Sequence, residues 1–131
     1  MKNLTKSIEN STNLEFIPYG TDPEMDKLVD SKSYFDRSFA AYKRYALYIL
    51  VNDSDYRVRI RVAQDDYKLD KLVNDEDLHV RAAVAERGYG LNKLANDSEI
   101  EVSFAVSYWL NIHDLTLEQW EEKYPDKVVK E

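Results

Sequence analysis

Residues 56–77 read YRVRIRVAQDDYKLDKLVNDED, and residues 78–99 read LHVRAAVAERGYGLNKLANDSE. Laid one above the other, ten of 22 positions are identical: Val58/Val80, Arg59/Arg81, Val62/Val84, Ala63/Ala85, Tyr67/Tyr89, Leu69/Leu91, Lys71/Lys93, Leu72/Leu94, Asn74/Asn96 and Asp75/Asp97. A fixed period of this size marks a stack of supersecondary repeats. Each has an apolar face that only its neighbours can remove from water. Chains of that kind extend in one direction and commonly act by presenting a surface.

The frame continues both ways with more blurred copies. Tyr34–Asp55 keeps Arg37, Ala41, Tyr45, Leu47, Leu50, Asn52 and Asp53, while Ile100–Glu121 keeps Val102, Ala105 and Val106 and then departs. Upstream, MDKLVDS (Met25–Ser31) matches the second half of a repeat, with Lys27 and Leu28 on the repeated positions. The expectation is about four to five 22-residue repeats in a single domain over residues 1–131. An N-terminal cap and degenerate repeat would occupy 1–33, the repeats 34–107, and a capping helix with its tail 108–131. Divergent ends are expected where a stack meets water.

Within one repeat, Val58 and Val62 lie four apart with Ile60 and Ala63 alongside, one face of a helix of 3.6-residue period. Leu69, Leu72 and Val73 form a shorter stripe at i, i+3, i+4. DDYK or RGYG between them is turn-like, Gly88 and Gly90 flanking Tyr89 in the second case. NDSD, NDED or NDSE then offers acidic residues suited to cap the next helix. Each repeat reads as helix, turn, short helix, acidic turn. No β alternation occurs, and the expected fold class is all-α.

The pattern L-x-x-L-V-N-D-x-D-x-x-V-R-x-x-V-A over Leu69–Ala85 resembles HEAT-like repeats, most closely the short leucine-rich-variant type of bacterial or phage proteins. The resemblance rests on a turn Asp followed about six residues later by Val-Arg: Asp53 with Val58-Arg59, and Asp75 with Val80-Arg81. It covers roughly residues 25–107 and implies a right-handed α-solenoid used for binding. The period is short for that family, which leaves room for one helix of only a single turn or of 3₁₀ type.

Composition narrows the functional classes. Apolar residues make up 44% of the 131, too many for a disordered segment. There is no cysteine, which removes disulfides and thiolate chemistry and fits a reducing compartment. No run approaches the roughly 18 apolar residues of a membrane span. MKNLTKSIENSTNLEF at the start has no signal-like apolar block, so a cytoplasmic protein without a membrane is expected. The net charge of −7 divides into −2 over residues 1–33, −1 over 34–99 and −4 over 100–131. The repeats are thus nearly neutral and the C-terminal section acidic. Neither a general nucleic-acid binder nor a general nucleic-acid mimic has that distribution.

A position repeated in every copy is explained most simply by stacking, and a surface position that varies is free to serve a partner. Arg37, Arg59 and Arg81 read either as a basic stripe for phosphates and carboxylates or as partners of the turn residues Asp53 and Asp75. Their recurrence together favours the second. Tyr45, Tyr67 and Tyr89 read either as a stacking platform or as plugs between the two helices of a repeat, and recurrence again favours the structural role. Phe35, Arg57, His79 and Glu101 share one variable slot; Lys43, Asp65, Arg87 and Trp109 share another. Arg57 and Arg61 lie on one helix face. By the resemblance, the second helices would line a concave side and bring Lys71 and Lys93, with Asp70 and Asn92, to a groove.

The C-terminal section concentrates Tyr108, Trp109, Trp120 and Tyr124. Thr116 and Gln119 form a capping box, after which Leu117, Trp120 and Tyr124 share a stripe that Pro125 ends. This is either a capping helix or an aromatic docking site beside Glu118, Glu121 and Glu122. His79 and His113 lack metal-ligand spacing, no Gly-rich phosphate loop exists, and the carboxylates sit in turns that capping explains. No catalytic residue, metal or cofactor is expected.

The expected function is a non-enzymatic adaptor or inhibitor that binds a protein, as a monomer or weak homodimer. Its candidate contacts are Arg57, Arg61, Lys71, Arg87, Lys93, Tyr108, Trp109 and Trp120. The alternatives are nucleic-acid binding through the basic members of that set, and acidic mimicry of nucleic acid against a nuclease.

Overall fold

The computed structural model describes residues 17–130. The reading of residues 1–16, as a start without a signal-like block and as part of the N-terminal cap, lies outside the described residues. Residues 17–130 form nine α-helices: α1 Pro23–Val29, α2 Tyr34–Tyr42, α3 Leu47–Leu50, α4 Tyr56–Gln64, α5 Leu69–Leu72, α6 Leu78–Glu86, α7 Leu91–Leu94, α8 Ile100–Ile112 and α9 Leu117–Lys123. A 3₁₀ turn at Pro125–Lys127 follows. The described residues contain no strand beyond one isolated parallel bridge between Ile17 and Tyr45, so the fold is all-α.

The acidic turns start the helices. Asp55 caps α4 by accepting the Arg57 N–H at 2.9 Å, and Asp77 caps α6 by accepting the His79 N–H at 2.8 Å. Two residues earlier, Asp53, Asp75 and Asp97 each accept the N–H of the residue two positions on (Asp55, Asp77, Glu99) at 2.9–3.0 Å. This local bond shapes the turn before the helix begins. Val58, Val62 and Ala63 of α4 and Val80, Val84 and Ala85 of α6 are then buried at the predicted spacing.

The chain leaves α2, α4 and α6 through two left-handed residues that flank the ladder tyrosine. Arg44 (φ 59°) and Ala46 (φ 54°) flank Tyr45, and Asp66 (φ 60°) and Lys68 (φ 52°) flank Tyr67. Gly88 (φ 74°) and Gly90 (φ 66°) flank Tyr89. Four of these six are not glycine, and each such residue costs about 1–2 kcal/mol in that region. The second helices α3, α5 and α7 that follow are only four residues long. The short apolar stripes of the sequence are therefore single helical turns, anchored by buried Leu47, Leu50, Leu72, Leu91 and Leu94.

The chain divides into two compact units, with the boundary between Tyr67 and Lys68. In the first unit, α1 and α4 pack on α2, and α3 touches α2 and α4. Tyr45 is buried there. Its hydroxyl accepts the backbone N–H groups of Gly20, Thr21 and Asp22 at 3.1–3.3 Å and donates to the Asp26 carboxylate. In the second unit, α6 packs on α8, α7 touches both, and α9 packs on α7. The predicted Thr116–Gln119 capping box starts α9.

Each unit contains a complete arginine fork. Arg37 Nε and Nη2 hold both oxygens of Asp53 at 2.8 and 3.1 Å, and Nη1 donates to the Ser31 carbonyl at 2.9 Å. Arg81 holds Asp97 at 2.8 and 3.1 Å and donates to the carbonyls of Asp75 at 2.9 Å and Glu76 at 3.2 Å. Arg59, buried, donates to the Asp53 carbonyl at 2.7 Å. A planar guanidinium suits both roles at once, since two donors face a carboxylate while the third reaches a backbone carbonyl. The carboxylate raises the basicity of Arg37 and Arg81, and Arg81 holds Asp97 below the usual carboxylate range.

Candidate functional site

Helix α8 carries more apolar surface than its neighbours can cover. Val102, Ala105 and Val106 are buried, yet Ile100 (77%), Phe104 (66%), Tyr108 (56%) and Ile112 (58%) stay exposed. Their spacing of four places them along one side of the helix. Phe104 and Tyr108 rings lie 6.3 Å apart. Beside this stripe, Ala82, Glu86, Glu101, Phe104, Ala105 and Tyr108 line an open groove of about 330 Å³ between α6 and α8. The small Ala82 and Ala105 make the depression, aromatic rings form one wall, and two exposed carboxylates stand at its sides.

Tyr108 and Trp109, adjacent in sequence, serve different surfaces. Trp109 is half-buried; its ring stacks on His113 at 3.7 Å and meets Tyr124 edge-on at 6.0 Å. It also lies over Gly88, where a Cβ would approach Trp109 Cζ2 to 2.6 Å. That contact explains why glycine stands where Arg44 and Asp66 occupy the equivalent turns.

Trp120 corrects the expected set of binding residues. It is 0% exposed, and its Nε1 donates to the Gly88 carbonyl at 2.9 Å. The ring plugs the second unit and cannot reach a partner, because the apolar stripe of α9 turns inward onto α7. The Tyr ladder is likewise interior: Tyr45 and Tyr67 are buried, and burial raises the phenol of half-buried Tyr89.

The basic candidates of the first unit are engaged by their own neighbours. Arg57 grips Asp55 with two bonds at 3.0 and 2.8 Å and lies 3.5 Å over the Tyr34 ring. Asp55 is pushed down to about 2 by this bond, and Arg57 is pushed up. Arg61 donates to Asp65 at 2.9 Å and lies 5.1 Å over the Tyr42 ring. Asp65 is only 7% exposed, and burial raises its pKa against the pull of Arg61. In the second unit Lys71 and Arg87 are exposed and Lys93 is half-buried.

Ile100, Phe104 and Ile112 escaped the sequence reading, as did the groove at Glu86 and Glu101. The one available signal was that, outside Glu101 and the row Ser103, Ser107 and Asn111, α8 is apolar over more of its circumference than one packed face uses. Among the described residues, no helix is long and apolar enough to cross a membrane, and no group of three His, Asp or Glu side chains is placed to hold a metal. No protein-family model matches the chain, and no curated protein or solved structure matches it.

Proposed function

We propose that the chain is a non-enzymatic interaction module, an adaptor or inhibitor that docks a protein partner. In this reading its helices form a short right-handed α-solenoid of about four to five HEAT-like repeats. The Arg–Asp fork, made by the same residue types in both units, and the left-handed residues that flank Tyr45, Tyr67 and Tyr89 support it. The observation that carries the binding function is the row Ile100, Phe104, Tyr108 and Ile112, apolar and exposed along one side of α8. Contiguous exposed apolar surface of this kind marks association sites, and tyrosine is enriched where binding energy concentrates. In this reading docking is on α8, rather than on the second-helix lysines Lys71 and Lys93. A cytoplasmic location belongs to the same proposal.

Nucleic-acid binding is the weaker reading, since Arg57 and Arg61 already have carboxylate partners at 2.8–2.9 Å. Phosphate binding draws its strength from uncompensated cations.

The test is photo-crosslinking in the native host from a benzophenone residue at position 111, next to the stripe, with the wild type and a Phe104→Glu/Tyr108→Glu variant. The expected result is a defined protein adduct that the variant loses while its far-UV circular dichroism melt is unchanged. An unchanged adduct, or one containing nucleic acid, refutes the proposal.

A further inference from the structure

The two units treat the same groove in opposite ways. Counting back two repeats from the second unit's groove, its residues Ala82, Glu86, Glu101, Phe104, Ala105 and Tyr108 correspond to Ser38, Tyr42, Arg57, Ile60, Arg61 and Gln64 in the first unit. There the Arg61 side chain reaches from α4 to α2, with its guanidinium 5.1 Å from the Tyr42 ring centre and bonded to Asp65. Arg57, one turn earlier, lies over Tyr34. The first unit thus covers the space between its paired helices with arginine laid on aromatic rings and tied to carboxylates. In the second unit the Arg61 position is Ala105 and the Arg57 position is Glu101. The groove stays open, aromatic rings flank it, and Glu86 and Glu101 stand exposed with no ion pair among the described residues.

We infer that the α6–α8 groove receives an arginine from an amphipathic segment of the protein partner, which supplies in trans the side chain that Arg61 supplies within the first unit. This rests on the docking function proposed for α8 and names the chemistry of its occupant. The guanidinium lies against Tyr108 or Phe104 and donates to Glu86 or Glu101, while apolar residues of the same segment cover Ile100 and Ile112. Charge and shape both select the residue. Two carboxylates at an apolar depression attract a cation and oppose an anion. A guanidinium stacks on a ring while keeping in-plane donors for a carboxylate, which an ammonium does less well. An acidic segment, a phosphate backbone or an anionic lipid surface meets like charge here.

The test uses random displayed peptides of α8's own length, 13 residues, selected on the whole chain and counter-selected against Phe104→Glu. The expected result is a set of stripe-dependent sequences enriched in arginine three or four positions from a large apolar residue. In a synthetic peptide from that set, replacing arginine by its neutral isostere citrulline weakens binding about tenfold, the sum of a ring contact and an exposed ion pair. In Glu86→Gln/Glu101→Gln the two peptides bind alike. Enriched sequences without basic residues, or equal affinity of both peptides for the wild type, overturn the arginine assignment and leave docking at α8 standing. Absence of any Phe104-dependent sequence overturns docking itself. Sedimentation of the chain alone covers the remaining occupant: a dimer abolished by Phe104→Glu assigns the groove to a second copy and overturns the inference.

Discussion

Replacing Arg81 by alanine separates a residue that holds the fold from one that decorates it. The guanidinium holds both Asp97 oxygens at 2.8 and 3.1 Å and the Asp75 carbonyl at 2.9 Å. The two side chains are only 16% and 11% exposed. Truncation leaves the carboxylate the Glu99 N–H at 3.0 Å and removes the Arg81 bond to the Asp75 carbonyl. Breaking one side of a buried pair costs about 3–5 kcal/mol. The surviving Glu99 bond and the residual exposure place this site near the lower end, at about 3 kcal/mol. At this chain length that lowers Tm by roughly 10 °C.

Urea and thermal melts of Arg81→Ala, Asp97→Asn and the double variant give the coupling energy, expected at about 2 kcal/mol. Because Arg81 holds the Asp97 pKa below its unfolded value, the pair's charge contribution is present above the ordinary carboxylate range. It is lost as pH falls through the folded value, so the gap between wild type and variant narrows below about pH 4. A loss under about 1 kcal/mol, typical of an exposed pair, rules out a fold-holding role for the fork. A gap that persists unchanged into strong acid rules out the pair's charge contribution.

Three further outcomes follow from the same geometry. Asp65→Asn keeps an acceptor for Arg61 but removes a charge that burial disfavours; since the folded pKa is raised, the ionised group opposes folding above that value. Tm at pH 7 should therefore hold or rise, opposite to Asp97→Asn, and a fall worth more than about 1 kcal/mol contradicts this. Gly88→Ala forces a Cβ to within 2.6 Å of the Trp109 ring at a φ of 74°, so a loss of about 2 kcal/mol and a changed near-UV dichroism are expected. Trp120→Phe leaves the buried Gly88 carbonyl without its 2.9 Å donor and should cost about 1–3 kcal/mol in a urea melt; a neutral result denies the hydrogen bond its role.

Much of the local structure was legible because repetition carries it. Val58/Val80 and Val62/Val84 had to face inward, and the acidic turns had to start helices, since every copy meets the same requirement. The division of labour among the acidic residues was legible only in part. Asp53 and Asp97 pair with arginine, Asp55 and Asp77 cap helices, and Asp65 is buried under Arg61. All are aspartate, and only their neighbours in space distinguish them. Trp120 was misplaced for a similar reason: Leu117, Trp120 and Tyr124 form an apolar stripe whether α9 covers another helix or offers that stripe to a partner.

The period, the all-helical class and the turn and cap residues were written in the amino-acid sequence, because they follow from contacts a few residues apart. The ladder residues were visible because they recur every 22 positions, although the Arg–Asp contacts span 16 residues. Tertiary structure alone decided which apolar residues remain in water. Apart from Glu101 and the row Ser103, Ser107 and Asn111, helix α8 is apolar, so sequence periodicity cannot say which part of that wide face α6 covers. Packing buries Val102 and Val106 and leaves Phe104 and Tyr108 beside Glu86 and Glu101. The open groove exists because Ala105 stands where the first unit has Arg61, and the consequence of that shorter side chain depends on the helix packed opposite it.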